Sequence, residues 1–464
     1  MQWINTTVGD FCPFVYGKAI KKQDQLDKGV PVYGSNGVYT YSANELVGPH
    51  AVIVGRKGSV GKLHISFTPC WVSDTAFYVK QDTIEDTYFT YYLLSTLGLE
   101  GMNTDAAVPG LNRDNAHRLE VRIPESAAER KKLVVPLIAL DRKIQLNHQI
   151  NQTLEQMAQA IFKSWFVDFE PVKAKIAALE AGGSEDDALL AAMQAIAGST
   201  LFATDAADAD AQTQLARLQT EHPEQYAALR ATAELFPSAM QESDLGEIPE
   251  GWGVNKVSSQ VDVLNGFAFK SADYVEKPGV FVLRTKNFNN IGIAEQQHDD
   301  VFLPEVFNVS HKKYLCEPYD YHLIMVGASV GKRGIIFPGN LPAIRNQNMW
   351  CFRPKLGADV GKAFTKYMVD ELTSQKIGLA SGSAREFFRK GDFQNQEICF
   401  ANALIQKKFD EVVFPLLEKQ AMNIAENEYL SNLRDSLLPK LLSGELSISA
   451  AIDQITQAEE AIDV

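Results

Sequence analysis

Two glycine-rich runs carry a lysine at the same place and could hold phosphate. The first is Val54-Gly55-Arg56-Lys57-Gly58-Ser59-Val60-Gly61-Lys62, and the second, read as two residues shorter, is Val326-Gly327-Ala328-Ser329-Val330-Gly331-Lys332. A nucleotide-binding loop is excluded by spacing. That motif needs four residues between its first Gly and Gly-Lys, then Ser or Thr for magnesium; here Leu63 and Arg333 follow the lysines. The spacing instead predicts a strand–turn–strand in which glycine lets the backbone approach a phosphate, with Lys62 and Lys332 alongside. Such contacts position a protein on a duplex without reading it. Ser59, Ser329, Lys57 and Arg333 belong to the same candidate surface.

Base reading needs paired donors and acceptors. Arg suits guanine, and Asn or Gln suits adenine. Just downstream, the first copy has Ser73-Asp74-Thr75 and the second Arg345-Asn346-Gln347-Asn348. Arg345, Asn346 and Gln347 are therefore candidate base readers, with Arg56, Arg284 and Lys286 as further ones. Catalytic groupings are missing from the sequence: no Asn-Pro-Pro-Tyr or Asp-Pro-Pro-Tyr, no His-Glu-x-x-His, no Gly-x-Ser-x-Gly and no cysteine–histidine metal spacing. The chain is expected to do no chemistry, to bind no cofactor or metal, and to act by recognition.

These candidates sit on a duplicated scaffold. Trp3 and Val8 recur as Trp252 and Val257, and a helical seam recurs at a constant offset of 276. The first seam runs Leu133, Leu137, Leu140, Ile144, Asn147, Asn151, Leu154, Ala158, Ile161, Trp165. The second runs Phe409, Val413, Leu416, Gln420, Asn423, Asn427, Leu430, Arg434, Leu437, Leu441. Steps of four and three predict a coiled coil of about 60 Å. Asn147, Asn151, Asn423 and Asn427 occupy matched seam positions, where a buried amide fixes register and orientation. Pairing the helices antiparallel brings the asparagines together. Pro136 and Pro415 would bend or start a helix.

The fold class read from this is α+β, a pseudo-twofold tandem repeat of two similar α/β domains with two long antiparallel helices. Its segments are a first domain at 1–124, helix at 125–170, an acidic linker at 171–250, a second domain at 251–398, helix at 399–442 and an acidic tail at 443–464. The net charge of −14 is concentrated. Residues 177–250 hold 14 acids against two Arg, the tail adds five acids, and the remainder is +3. A DNA-facing surface is thus compatible with the acidic total. Cys12, Cys70, Cys316, Cys351 and Cys399 lack pair spacing, so reduced thiols and a cytoplasmic location are expected. No membrane-length apolar run or signal-peptide pattern is present.

Several runs resemble one family. Lys143-Ile144-Gln145-Leu146-Asn147 through Asn151-Gln152-Thr153-Leu154-Glu155, then Ala160-Ile161-Phe162-Lys163-Ser164-Trp165-Phe166-Val167-Asp168-Phe169, resemble the central helix of type I restriction–modification specificity subunits. So do Gly246-Glu247-Ile248-Pro249-Glu250-Gly251-Trp252, Ala107-Val108-Pro109-Gly110-Leu111-Asn112, and Leu437-Leu438-Pro439-Lys440-Leu441-Leu442-Ser443-Gly444-Glu445-Leu446. The stretch 177–245 is the least family-like. The resemblance implies two target-recognition domains, each reading half of a split, asymmetric double-stranded DNA site. It also implies two modification subunits carrying S-adenosylmethionine and two motor–nuclease restriction subunits using ATP and Mg. Trp165, Phe166 and Phe169 would then contact the modification subunits. Charge complementarity adds acidic DNA-mimic inhibitors as a further partner class. The residues alone also admit an architectural protein bridging DNA segments or protein partners.

Overall fold

The computed structural model describes residues 1–102, 110–200, 211–297, 299–377 and 388–462. It divides into two compact units, Met1–Asn147 with Glu426–Val464, and His148–Ala425. Much of the run Ala107–Asn112 lies outside the described residues.

Each unit builds the same three sheets. In the first, a four-stranded sheet has the order Val15–Tyr16, Ala76–Lys80, Ala51–Gly55, Leu63–Ser66. A three-stranded sheet orders Gly37–Ser42, Val30–Gly34, Trp71–Val72, and the pair Trp3–Thr7 with Glu120–Pro124 closes the domain. In the second unit the corresponding orders are Val261–Asn265, Met349–Pro354, Tyr321–Ile324, Arg333–Ile335, then Phe302–Leu303, Val280–Leu283, Ala343–Arg345. Its closing pair is Gly253–Lys256 with Glu397–Phe400. The strand Ala51–Gly55 is buried along its whole length, as a run of Val and Ile flanked on both edges must be. Its counterpart Tyr321–Ile324 is buried likewise.

Two long helices run Ala127–Phe166 and Ala403–Ser443, continuing through Pro136 and Pro415 rather than starting there. Within each unit their segments pair antiparallel. In the first, Asn147 Nδ2 donates to Asn427 Oδ1 at 2.9 Å and to Glu426 Oε2 at 2.8 Å. In the second, Asn423 Nδ2 donates to Asn151 Oδ1 at 2.8 Å, and Gln420 Nε2 to the Asn151 carbonyl at 3.2 Å. All four asparagines are buried, so each amide needs its partner.

The segment read as an acidic linker is folded over most of its described length. Helices occupy Glu170–Glu180, Glu185–Thr200, Ala211–Glu221 and Pro223–Glu234, followed by the hairpin Met240–Ser243/Gly246–Pro249. Apolar residues of this segment, including Val172, Met193, Ile196 and Phe236, join the core around Trp165. Acidic exposed faces masked this pattern in composition. Lys175 is buried, its Nζ donating to the Phe236 carbonyl at 2.6 Å. The terminal segment forms helix Ile448–Ile462, with Ala451 and Ile455 in the first unit's core.

Candidate nucleic-acid interface

Backbone hydrogen bonds show which residues of the two domains correspond. Gly17 N bonds the Ala76 carbonyl, and Gly266 N the Met349 carbonyl. Lys18 N to Val72 O matches Phe267 N to Arg345 O, and Ser73 N to Tyr33 O matches Asn346 N to Leu283 O. Arg56 N to Thr75 O matches Met325 N to Asn348 O. Leu111 N to Arg56 O matches Phe388 N to Met325 O. A Cβ on Gly17 would stand 2.1 Å from the Ser73 carbonyl, and one on Gly266 1.8 Å from that of Asn346. Glycine is therefore required at both places.

This correspondence corrects two readings. Val54 pairs with Leu63 and Leu323 with Arg333, so the second turn is one residue longer than the first, not two shorter. The Val-Gly pair shared by both runs invites aligning Gly55 with Gly327, whereas the bonding aligns it with Ile324. The glycines also pack against the protein itself. A Cβ on Gly61 would meet Leu99 backbone at 2.3 Å, and one on Gly55 would meet the Ser59 carbonyl at 2.0 Å. Amides of Val60, Gly61, Val330, Gly331 and Lys332 bond inside their turns, so they are not turned outward toward a phosphate.

Arg345 matches Val72, a core position, and is 1% exposed. Its guanidinium donates to the carbonyls of Asn265 at 3.0 Å, Leu315 at 2.8 Å and Lys313 at 2.5 Å. An arginine so occupied holds three segments together and does not reach a base. Arg284 and Lys286 are likewise committed, Arg284 to Asp300 at 3.1 Å and Lys286 to Asp299 and Asp300 at 2.5 and 3.0 Å. Burial raises the Asp300 carboxyl, but bonds from Asn287, Gln297, Lys286 and Arg284 outweigh it and hold it below the ordinary range. Arg333 pairs with Asp370 at 2.7 Å.

Other candidates remain at the surface. Lys57 and Lys62 are exposed, Lys62 Nζ donating to Asn36 at 2.7 Å; Ser59 and Ser329 are half-buried. Gln347 is exposed and Asn346 half-buried. Lys332 lines a polar cavity of about 590 Å³ with Gln152, Gln156, Asn290 and Arg333.

Sequence reading missed the most organised surface cluster. Arg56 lies 4.8 Å from the Tyr16 ring centre and Arg113 5.0 Å from it. Arg56 Nη1 donates to the Asp74 carbonyl at 3.2 Å. Its members come from four separate segments, so only a cluster of basic residues flanking an aromatic could have hinted at it. The second domain has a different surface: Phe267, Phe269, Phe307, His311 and Tyr314 form a contiguous aromatic cluster.

Trp165 is not an exposed partner contact. It is wholly buried, packed edge-on against Phe236 at 5.2 Å and Phe409 at 5.9 Å. Phe166 is 7% exposed and packs on Phe364 and Trp252. Phe169 is half-buried and packs on Trp252. The helix end carrying Trp165 and Phe166 is core, and Phe169, just beyond it, keeps a partly exposed face.

Asp320, His322 and Cys351 come close enough to suggest a metal site. Asp320 is already engaged, however, by Arg353 at 2.5 and 3.0 Å and by Lys362 at 3.1 Å. Two cations beside the cluster and an occupied carboxylate disfavour a third positive charge. Burial pushes the His322 imidazole down to about 4, so it is neutral at pH 7. Among the described residues no helix is long and apolar enough to cross a membrane.

Residues 2–156 match the model of the type I restriction modification DNA specificity domain. The chain is 33% identical over 345 residues to the type I restriction enzyme HindI specificity subunit of Haemophilus influenzae, covering 73% of this chain and 71% of that one. It is 22% identical over 376 residues to the MjaIX specificity subunit of Methanocaldococcus jannaschii, covering 80% and 71%. A solved type I S subunit from M. genitalium aligns with a TM-score of 0.48 and 14% identity, over 95% of this chain and 96% of that one. By its likeness to the Haemophilus protein across most of both chains, this chain belongs to the specificity subunits of type I restriction–modification systems.

Proposed function

We propose that each of the two domains reads one half of a bipartite, asymmetric site on double-stranded DNA. The observation that carries this reading is the pairing of matched backbone scaffolds with unmatched exposed tips. The same five inter-segment hydrogen bonds recur in both units, while Tyr16, Arg56 and Asp74 are replaced by Asn265, Met325 and Gln347 at the corresponding places. Two readers of different base sequences need a common frame and different donors and acceptors.

In this reading the chain is a non-catalytic recognition subunit. It scaffolds two modification subunits, which hold S-adenosylmethionine, and two restriction subunits, which use ATP and Mg. The buried asparagine pairs fix the register of the helix pairing. Lys62 and Lys332 add salt-dependent affinity, and acidic DNA mimics compete for the same surface.

The test is a genome-wide map of adenine methylation in cells expressing this chain with its candidate modification subunit. A single split motif, lost when the chain is omitted, supports the reading. A soluble complex that yields no motif rejects it in favour of architectural bridging.

A further inference from the structure

The cluster around Tyr16 can do more than hold a phosphate. Tyr16 is 44% exposed and the Arg113 side chain 38% exposed, so neither is needed to fill the core. A guanidinium over a partly exposed ring adds little to stability. What the stack provides is orientation. A guanidinium lying on a ring keeps its in-plane N–H edge directed outward, in the fork that matches the O6 and N7 acceptors of guanine.

The platform under this fork is tied by hydrogen bonds. Gly17 and Lys18 are bonded to Ala76 and Val72, and Trp71 Nε1 donates to the Lys18 carbonyl at 2.8 Å. Arg56 is held through its own amide by Thr75 and through its carbonyl by Leu111. Arg113 lies at the start of helix Arg113–His117, which Asn112 caps by accepting from Asn115 N. Its Nε is buried and lies 3.5 Å from Asp114 Oδ1, while the side chain as a whole is 38% exposed.

Resting on the proposed reading of DNA, we infer that Arg113 and Arg56, braced by Tyr16, recognise guanine in the half-site taken by the first unit. Among the described residues the second unit has no such arginine–tyrosine stack. Lys390, Met325 and Asn265 stand at the corresponding positions, and its exposed amides Gln347 and Asn348 suit adenine instead. Arg113 and Arg56 are thus specificity-determining residues that make the two halves of the site unlike.

The test selects bound duplexes from a randomised pool, using the full chain in complex with its modification subunit. Compared are the native protein, R56K, R113K, Y16A and Y16F. Lysine keeps the charge and loses the fork. The native protein is expected to select guanine in one half. R113K or R56K should lower discrimination at that base pair about ten- to hundredfold, leaving the other half and the salt dependence unchanged. Y16A should relax the same position, and Y16F should keep it. An unchanged other half shows that each variant is folded. A native motif without guanine in either half, or lysine variants that select as the native protein does, would overturn the inference. Absence of any motif would instead overturn the proposed function.

Discussion

Each unit docks one domain helix, Ile84–Ser95 in the first and Lys362–Ile377 in the second, on the helix pair, through different chemistry at similar places. In the first, one carboxylate does the work: Asp141 accepts from Tyr92 Oη at 2.5 Å and from Arg434 Nη1 at 2.6 Å. In the second, Glu155 starts a longer chain. Its Oε1 accepts from Lys366 Nζ at 2.5 Å and its Oε2 from Tyr367 Oη at 3.1 Å. Lys366 also pairs with Asp370, which pairs with Arg333 and accepts from Tyr321. Lys366 is almost fully enclosed, whereas Arg434 is about a quarter exposed. The two units share a backbone frame and differ in their polar side chains, in the docking contacts as at the proposed reading surface. The second network ends one residue from Lys332, so helix and turn are coupled there through fixed charges.

The docking contacts give the largest expected effect. Glu155→Ala should cost about 3–5 kcal/mol, because it leaves Lys366 charged and enclosed with only Asp370. Asp141→Ala should cost about 1–2 kcal/mol, since Arg434 can turn to water and retains Asp435. Urea unfolding of both variants checks the ranking, and equal losses would break the contrast. At the reading surface, Gln347→Ala should cost about 1–3 kcal/mol of discrimination at one base pair of the second half-site. Competition binding with single-substituted duplexes would show this, and a uniform loss over all sequences would reassign Gln347 to the phosphates.

Acid should weaken the second unit through His322. Its imidazole titrates near 6.5 when unfolded and near 4 when folded, so its contribution is complete above pH 6.5. That contribution is lost as pH falls from 6.5 toward 4, amounting to roughly 1–2 kcal/mol at pH 5. His322→Gln should flatten this part of the pH dependence, as thermal unfolding at pH 7.5 and 5 would reveal. The smallest effect is expected from Lys62→Ala and Lys332→Ala. Each should weaken all sequences alike and reduce the slope of log affinity against log salt by about one. If Lys332→Ala altered sequence preference and left the slope alone, its place in the polar cavity would mark it as a reader.

Much of the frame was legible in the sequence because it is periodic. Seam spacing put Asn147, Asn151, Asn423 and Asn427 on one helix face each, and antiparallel pairing follows from their matched offset. Glycine turns announced the hairpins, but not their register, because Gly55 and Ile324 share a backbone role and no side chain. Arg345 read as a surface residue since composition cannot reveal three carbonyls waiting inside a domain. Trp165, Phe166 and Phe169 read as exposed because the rings they pack on, Phe236, Phe364, Phe409 and Trp252, lie far along the chain. The stack of Arg56 and Arg113 on Tyr16 was invisible for a related reason: tertiary packing alone unites residues nearly a hundred positions apart.

The central claim is that the two domains contribute separately to one split site. Its most direct test is the equilibrium affinity of the complex with the modification subunit for the mapped duplex, against duplexes with either half scrambled. The account predicts that scrambling either half weakens binding strongly, and that the Arg113→Lys change alters the cost of scrambling one half only. Affinity that depends on a single half, with the other freely replaceable, would contradict it.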